Sequence, residues 1–187
     1  MTLPTMQTTR LTLRPFELAD APVIKRLAGV PEVALTTQNI PYPYQEGVAE
    51  AWMAGHGAAW DEGSLLTLAV SEEEDGLVGA VSLRIDVTHR RGELGYWVGV
   101  PFWNRGFATE AAGALLQFGF GELGLNRIQA RHMTRNPSSG RVTQKLGMSA
   151  EGIQRQHIVA HGKVEDIAMC AILRAEWGEG AAPYRRA

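Results

Sequence analysis

The chain has 187 residues, 45% of them hydrophobic, a formal net charge of −2 and a sequence pI near 6.2. One domain over 1–187 with an ordinary core fits that length, and the charge balance gives no bulk attraction to nucleic acid or anionic lipid. The lone cysteine, Cys170, excludes an internal disulfide, and residues 1–9 show neither a basic start nor an apolar run, nor is any later stretch long enough to cross a bilayer. The expectation is a cytoplasmic protein without membrane or nucleic-acid partners.

Residues 10–16 alternate apolar and polar positions, which predicts a first strand ending at Pro15 and then a helix from about 18 to 27. Pro31, Pro41 and Pro43 mark an irregular connection that carries Tyr42 and Tyr44, loop aromatics able to line an acceptor pocket. A second helix is expected from about 45 to 60, with Trp52, His56 and Trp60 one turn apart and both tryptophans in the core. Residues 65–71 and 77–86 read as the strands of a hairpin, and the acidic run 72–76 as its solvated turn.

The central strand follows. Glu93, Gly95, Trp97 and Gly99 alternate with Leu94, Tyr96, Val98 and Val100 until Pro101 stops the pattern. Beyond a Gly-containing loop, Ala112, Leu115, Leu116, Gly119 and Leu123 recur at helical spacing, with Thr109 and Glu110 expected as capping hydroxyl and acid at the helix start. Residues 126–132 form another strand, and a strand–helix–strand crossover makes those two strands parallel. After a turn at Asn136 and Pro137, Ser138 or Ser139 is expected to cap a short helix closed by Gly147. A strand from Glu151, a turn at 160–163 and a strand over 164–173 complete an α/β fold. Its mixed sheet is mainly antiparallel, parallel only at the central pair, and flanked by helices.

The loop before the long helix feeds N–H groups that have no partner inside that helix, and Gly106 and Ala108 have too little side chain to shield them. A phosphate or pyrophosphate can therefore approach the main chain closely. Residues 102–111 resemble the pyrophosphate loop of the Gcn5-related N-acetyltransferase (GNAT) superfamily, in the branch of the ribosomal-protein N-terminal acetyltransferases. Trp103 departs from the Gln or Arg usual at that position. Asn136, Ser139, Lys145, Leu146 and Gly147 match the coenzyme A-binding helix of the same superfamily, with Gln144 for Glu and Met148 for Phe. Arg10-Leu-Thr-Leu-Arg-Pro15 resembles that branch's opening, and the resemblance spans about 8–177.

The resemblance implies acetyl-CoA as donor. Backbone N–H groups of Arg105, Gly106, Phe107, Ala108 and Thr109 would hold the pyrophosphate, Asn136 the pantetheine arm, and Val98, Gly99 and Val100 would line the thioester. Splayed parallel strands would leave amides near Val98 or Val100 free to meet a developing oxyanion. Ser139 stands where this branch places the group that protonates the departing thiolate, and it serves equally well as a helix cap. Many relatives use a tyrosine where this chain has Thr143. Glu93 occupies the family position of a general base. An α-amine of pKa ~7.8 loses its proton at pH 7 for about 1 kcal/mol, against roughly 4.6 kcal/mol for a lysine amine. A protein N-terminal α-amine is therefore the expected acceptor. The alternatives are a small-molecule amine such as a polyamine or amino acid, or a non-catalytic acyl-CoA-binding module.

Other patterns carry no function. The glycines at 119, 121 and 124 satisfy a dinucleotide-binding spacing but end a helix instead of opening one. His157 and His161 fall along a strand, about 13 Å apart, which suits no shared metal. No metal is expected.

Overall fold

The computed structural model describes residues 2–178 and 185–186, so the ends of the domain expected over 1–187 lie outside the described residues. Strands β1 (Met6–Gln7), β2 (Leu11–Arg14), β3 (Leu65–Glu72), β4 (Gly76–Asp86), β5 (Arg91–Val98), β6 (Arg127–Met133), β7 (Ser149–Ala160), β8 (Lys163–Leu173) and β9 (Arg185–Arg186) form one sheet. Their spatial order is β7-β8-β6-β5-β4-β3-β2-β1-β9. Helices α1 (Ala21–Ala28), α2 (Pro31–Ala34), α3 (Val48–Ala54), α4 (His56–Asp61), α5 (Phe107–Gly121) and α6 (Pro137–Lys145) flank it. Neighbouring strands run antiparallel except β5 and β6, which are joined through α5 and therefore lie parallel, as expected.

Two apolar layers sandwich the sheet. On one face α5 is buried almost all round: Phe107, Ala111, Leu115, Leu116 and Phe118 pack with Leu68, Leu83 and Leu94 of the strands. On the other, Ala21, Ile24 and Ala28 of α1 cover Ala69 and Leu77, with Tyr44 and Trp97 partly buried against them. Strand alternation thus sends Leu94 and Tyr96 to the α5 layer and Trp97 to the α1 layer. Arg14 forks onto Asp20 with two 2.8 Å bonds that tie β2 to the start of α1. Burial alone would raise the Asp20 carboxyl, but Arg14 and the Glu17 amide hold it below its ordinary range.

Five local expectations are corrected. The helix expected over 45–60 is two, α3 and α4, because Gly55 ends one and begins the next and contributes no side chain to carry the helix through. The bend places Trp60 in the main core, 6.3 Å from Phe118, while Trp52 remains 39% exposed. β5 ends at Val98, and Val100 belongs to a 3-10 turn (Val100–Phe102) in which Pro101 sets the backbone angle. The N-cap of α5 is Gly106, so Thr109 lies inside the first turn; the N-cap of α6 is Asn136, not Ser138 or Ser139.

His56 is 6% exposed, and neither ring nitrogen has a hydrogen-bond partner. It sits edge-on to Trp52 at 4.6 Å and tilted against Phe16 at 5.5 Å. Burial pushes its pKa down to about 4. The unfolded chain takes up this proton near pH 6.5, the folded one only near pH 4, so stability is full above pH 6.5 and falls as pH drops between those values. His56→Phe should therefore stabilise by about 1–3 kcal/mol, the cost of a buried unpaired polar group, with a larger gain in Tm at pH 5 than at pH 7.5. A gain independent of pH would assign the effect to packing alone.

Candidate active site

The first half of the site is the N-terminal end of α5. Gly106 has a φ of +84°, which an L side chain adopts only under strain, and no side chain caps the helix. The first-turn N–H groups of Phe107, Ala108 and Thr109 therefore lie open to a ligand. A Cβ at Gly106 would sit 3.4 Å from Arg10 Nη2. Arg10 itself donates to the Arg105 carbonyl at 2.9 Å and to Glu110 through Nε at 2.8 Å, and its guanidinium lies over Phe107. Arg105 stacks on the same ring at 4.5 Å and pairs with Asp75 at 2.5 Å. Burial alone would raise the Glu110 carboxyl, but Thr8, the Arg10 amide and the Arg10 guanidinium hold it below its ordinary range. Two guanidinium groups beside a bare 15-residue helix start suit a phosphorylated ligand, so the expected residues 105–109 fit the pyrophosphate of coenzyme A.

The second half is a gap in the sheet. β5 and β6 pair only from Arg91↔Arg127 to Leu94↔Ala130, although β5 continues to Val98 and β6 to Met133. Gly99 N–H donates to Val78 O at 2.9 Å. Antiparallel alternation then turns Trp97, like Gly99, toward β4, and the amides of Tyr96 and Val98 toward β6, where no paired residue faces them. The Val98 carbonyl is taken by Trp103 Nε1 at 2.7 Å, a role for the residue that departs from the family motif. The Gly99 amide is already satisfied, so of residues 98–100 it is Val98 that presents its amide to the gap, as Tyr96 does one step earlier.

Side chains tie the two arms of the gap together. On the α5 face Tyr96 reaches across to α6, its hydroxyl 2.8 Å from Ser139 Oγ and 3.1 Å from Ser139 O. Asn136 Oδ1 accepts Ser139 N–H at 3.2 Å, so the capping role belongs to Asn136 and leaves the Ser139 hydroxyl to Tyr96. Burial, outweighing the bond to Ser139, pushes the Tyr96 phenol up to about 12. On the other face three successive carbonyls after α2 are held from across the gap. Arg135 Nη2 donates to Leu35 O at 2.6 Å, Asn136 Nδ2 to Thr36 O at 3.4 Å and His161 Nε2 to Thr37 O at 3.2 Å.

Glu93 lies on β5 at the last paired stretch, one quarter exposed. Gln129 Nε2 donates to its Oε2 at 2.9 Å and Arg131 Nε lies 3.0 Å from its Oε1. Alternation places it on the face opposite Tyr96 and Ser139. Tyr44 packs against α1, where burial and Glu50 raise its phenol pKa, while Tyr42 is half exposed on the same connection. Tyr96, Trp103, Arg10 and Arg131 carry contacts that the sequence pattern left unassigned. Alternation with Trp97 was the signal available for Tyr96, since it sends the phenol to the helix face. Among the described residues no cluster of three or more His, Cys, Asp or Glu could hold a metal ion, and no helix is long and apolar enough to cross a membrane.

An uncapped helix start near unpaired strand amides is a setting for a phosphorylated ligand that also carries a hydrogen-bond acceptor. Residues 10–149 match the family model described as Acetyltransferase (GNAT) domain, and the chain belongs to the GNAT N-acetyltransferase family of acetyl-CoA-dependent acyltransferases. It is 30% identical over 174 residues to an uncharacterized N-acetyltransferase, p20, of Bacillus licheniformis, covering 92% of this chain and 98% of that one. A ribosomal protein uS5-alanine N-acetyltransferase of Escherichia coli (strain K12) is 28% identical over 87 residues, 46% of this chain and 45% of that one. A spermidine N-acetyltransferase from Vibrio cholerae, solved with CoA and spermine, superposes with a TM-score of 0.77 at 21% identity, covering 90% of this chain and 98% of that one.

Proposed function

We propose that this chain, as a single catalytic domain, acetylates a protein N-terminal α-amine. The observation that carries the reading is the Val98 amide turned into the β5–β6 gap beside the bare start of α5. When bound, acetyl-CoA supplies an acetyl group already activated as a thioester. Residues 105–109 hold its pyrophosphate, Asn136 borders its pantetheine arm, and Gly99 and Val100 shape the wall beyond Val98. The Val98 N–H then faces the oxygen on which charge develops, where a fixed donor in a water-poor site is most effective. Glu93 takes the proton of the acceptor amine through water, Ser139 returns one to the departing sulfur, and Tyr42 and Tyr44 border the acceptor approach.

The α-amine is favoured over a polyamine by charge. Arg131 pairs with Glu93 and Arg135 with Glu165, so that face offers a polycation little net attraction. An α-amine also gives up its proton near neutral pH at less cost than a lysine amine. The Escherichia coli relative's uS5-alanine activity supports the same choice, whereas the Vibrio cholerae structure supports the spermidine alternative. Cys170, a buried free thiol, suits a reducing compartment such as the cytoplasm.

Acetyl-CoA consumption over a panel of N-terminal peptides, polyamines and amino acids tests the proposal. We expect turnover with peptides bearing a free α-amine and its loss when that amine is blocked. Turnover of spermidine but of no peptide would transfer the chain to the polyamine class.

A further inference from the structure

Ser139 is an alcohol, and an alcohol is a poor acid for a departing thiolate. The relatives' tyrosine is absent from α6, where Thr143 is buried and donates to Gly140 O at 2.9 Å. A phenol nevertheless reaches Ser139 from another element. Tyr96 comes from β5, just past the last β5–β6 pair, and its hydroxyl touches Ser139 Oγ at 2.8 Å. All the polar atoms of Ser139 are engaged by two residues: Asn136 takes its N–H, and Tyr96 meets both its carbonyl and its hydroxyl. The hydroxyl is thereby held at one rotamer at the edge of the gap.

We propose that Tyr96 is the positioning residue through which Ser139 acts, orienting its hydroxyl and replacing the proton it gives away. The phenol's single hydrogen can be given to Ser139 O at 3.1 Å or to Ser139 Oγ at 2.8 Å; when it is given to Oγ, the serine's own hydrogen is free to point into the gap. The acceptor nitrogen forms its bond to the acetyl carbon, the C–S bond breaks, and its electron pair goes to sulfur. One proton passes from Ser139 Oγ to that sulfur and one from Tyr96 Oη to Ser139 Oγ. Glu93 passes on to solvent the proton it took from the acceptor ammonium, and the second proton, shed by the nitrogen once its bond to the acetyl carbon has formed, returns to Tyr96 through water, so the cycle closes with no net change in the protein. The raised phenol pKa keeps Tyr96 protonated throughout the neutral range. This inference rests on the role proposed for Ser139.

The test compares wild type, Ser139→Ala, Tyr96→Phe, the double variant and a protein carrying 3-fluorotyrosine at 96, with acetyl-CoA and an α-amine peptide that wild type acetylates. We expect Tyr96→Phe to lower kcat about tenfold or more, the double variant to match Ser139→Ala, and all to keep the wild-type Kd for CoA. Fluorine makes the phenol more acidic while preserving its hydrogen bond, so kcat and the alkaline limb of its pH profile should both shift. That shift should vanish in the Ser139→Ala background. A slow Ser139→Ala combined with a 3-fluorotyrosine protein indistinguishable from wild type would make Tyr96 merely structural and leave the Ser139 role intact. A fully active Ser139→Ala would overturn the role proposed for Ser139 and this inference with it. Should Tyr96→Phe fail to fold, the fluorotyrosine protein alone decides.

Discussion

Gly106→Val should abolish most coenzyme A binding while leaving the protein folded. At φ +84° a β-branched residue is strained by about 1–3 kcal/mol, and its side chain enters the space between the α5 amides and Arg10. A loss of about 3 kcal/mol in binding corresponds to a roughly hundredfold weaker Kd, measurable by titration calorimetry. Gly106→Ala, whose Cβ would meet only the Arg10 tip at 3.4 Å, should fall between the two. A folded Gly106→Val protein with wild-type affinity would move the phosphate site away from this helix.

Gly79→Ala should be among the most damaging one-carbon changes available in the sheet. A Cβ there would lie 2.3 Å from the Trp97 carbonyl oxygen and 3.0 Å from Val98 Cα, both backbone atoms that cannot swing aside. Overpacking of this kind costs about 3 kcal/mol, and the displacement falls on the residue whose amide faces the gap. The same substitution at Gly55 meets nothing within 4 Å and falls at a helical backbone angle. It should stabilise by up to about 1 kcal/mol. Urea denaturation of the two variants checks the contrast, and comparable midpoints would show that β4 and β5 can separate at low cost.

Periodicity exposed the strands and α5 because each buries residues on a schedule of its own. Arg91–Val98 alternates at its start, Gly76–Asp86 is buried continuously over 77–81, and Phe107–Gly121 is apolar on nearly every side. The loop at Gly106 was legible for a similar reason, since small residues before a helix are a local property, but the missing side-chain cap was not, because Thr109 was expected to supply it. What remained hidden depends on pairs distant in the chain. Tyr96 meets Ser139 43 residues later, and Arg10 braces Arg105 across 95 residues, contacts that no window of sequence can contain. The caps were misassigned because several residues near a helix start carry suitable side chains, and only the turn geometry selects Asn136. Glu93 stood out as a strand carboxylate, but Gln129 and Arg131 reach it from a strand that sequence order places beyond a whole helix.

The two ties across the β5–β6 gap, Tyr96 to Ser139 on one face and the clasped carbonyls of Leu35, Thr36 and Thr37 on the other, have a mechanical consequence. Parallel strands left to themselves would zip onward, matching the amides of Tyr96 and Val98 to the far end of β6. Braces on both faces hold the arms at a set distance, as struts hold open the mouth of a vice. Each main-chain group kept from its neighbour retains an unsatisfied demand of about 1–3 kcal/mol in a dry environment. An extended ligand bearing amide groups would meet that demand by lying where a strand is missing. The sheet thus leaves backbone groups unpaired at its centre, and a ligand placed there would meet main chain as well as side chains.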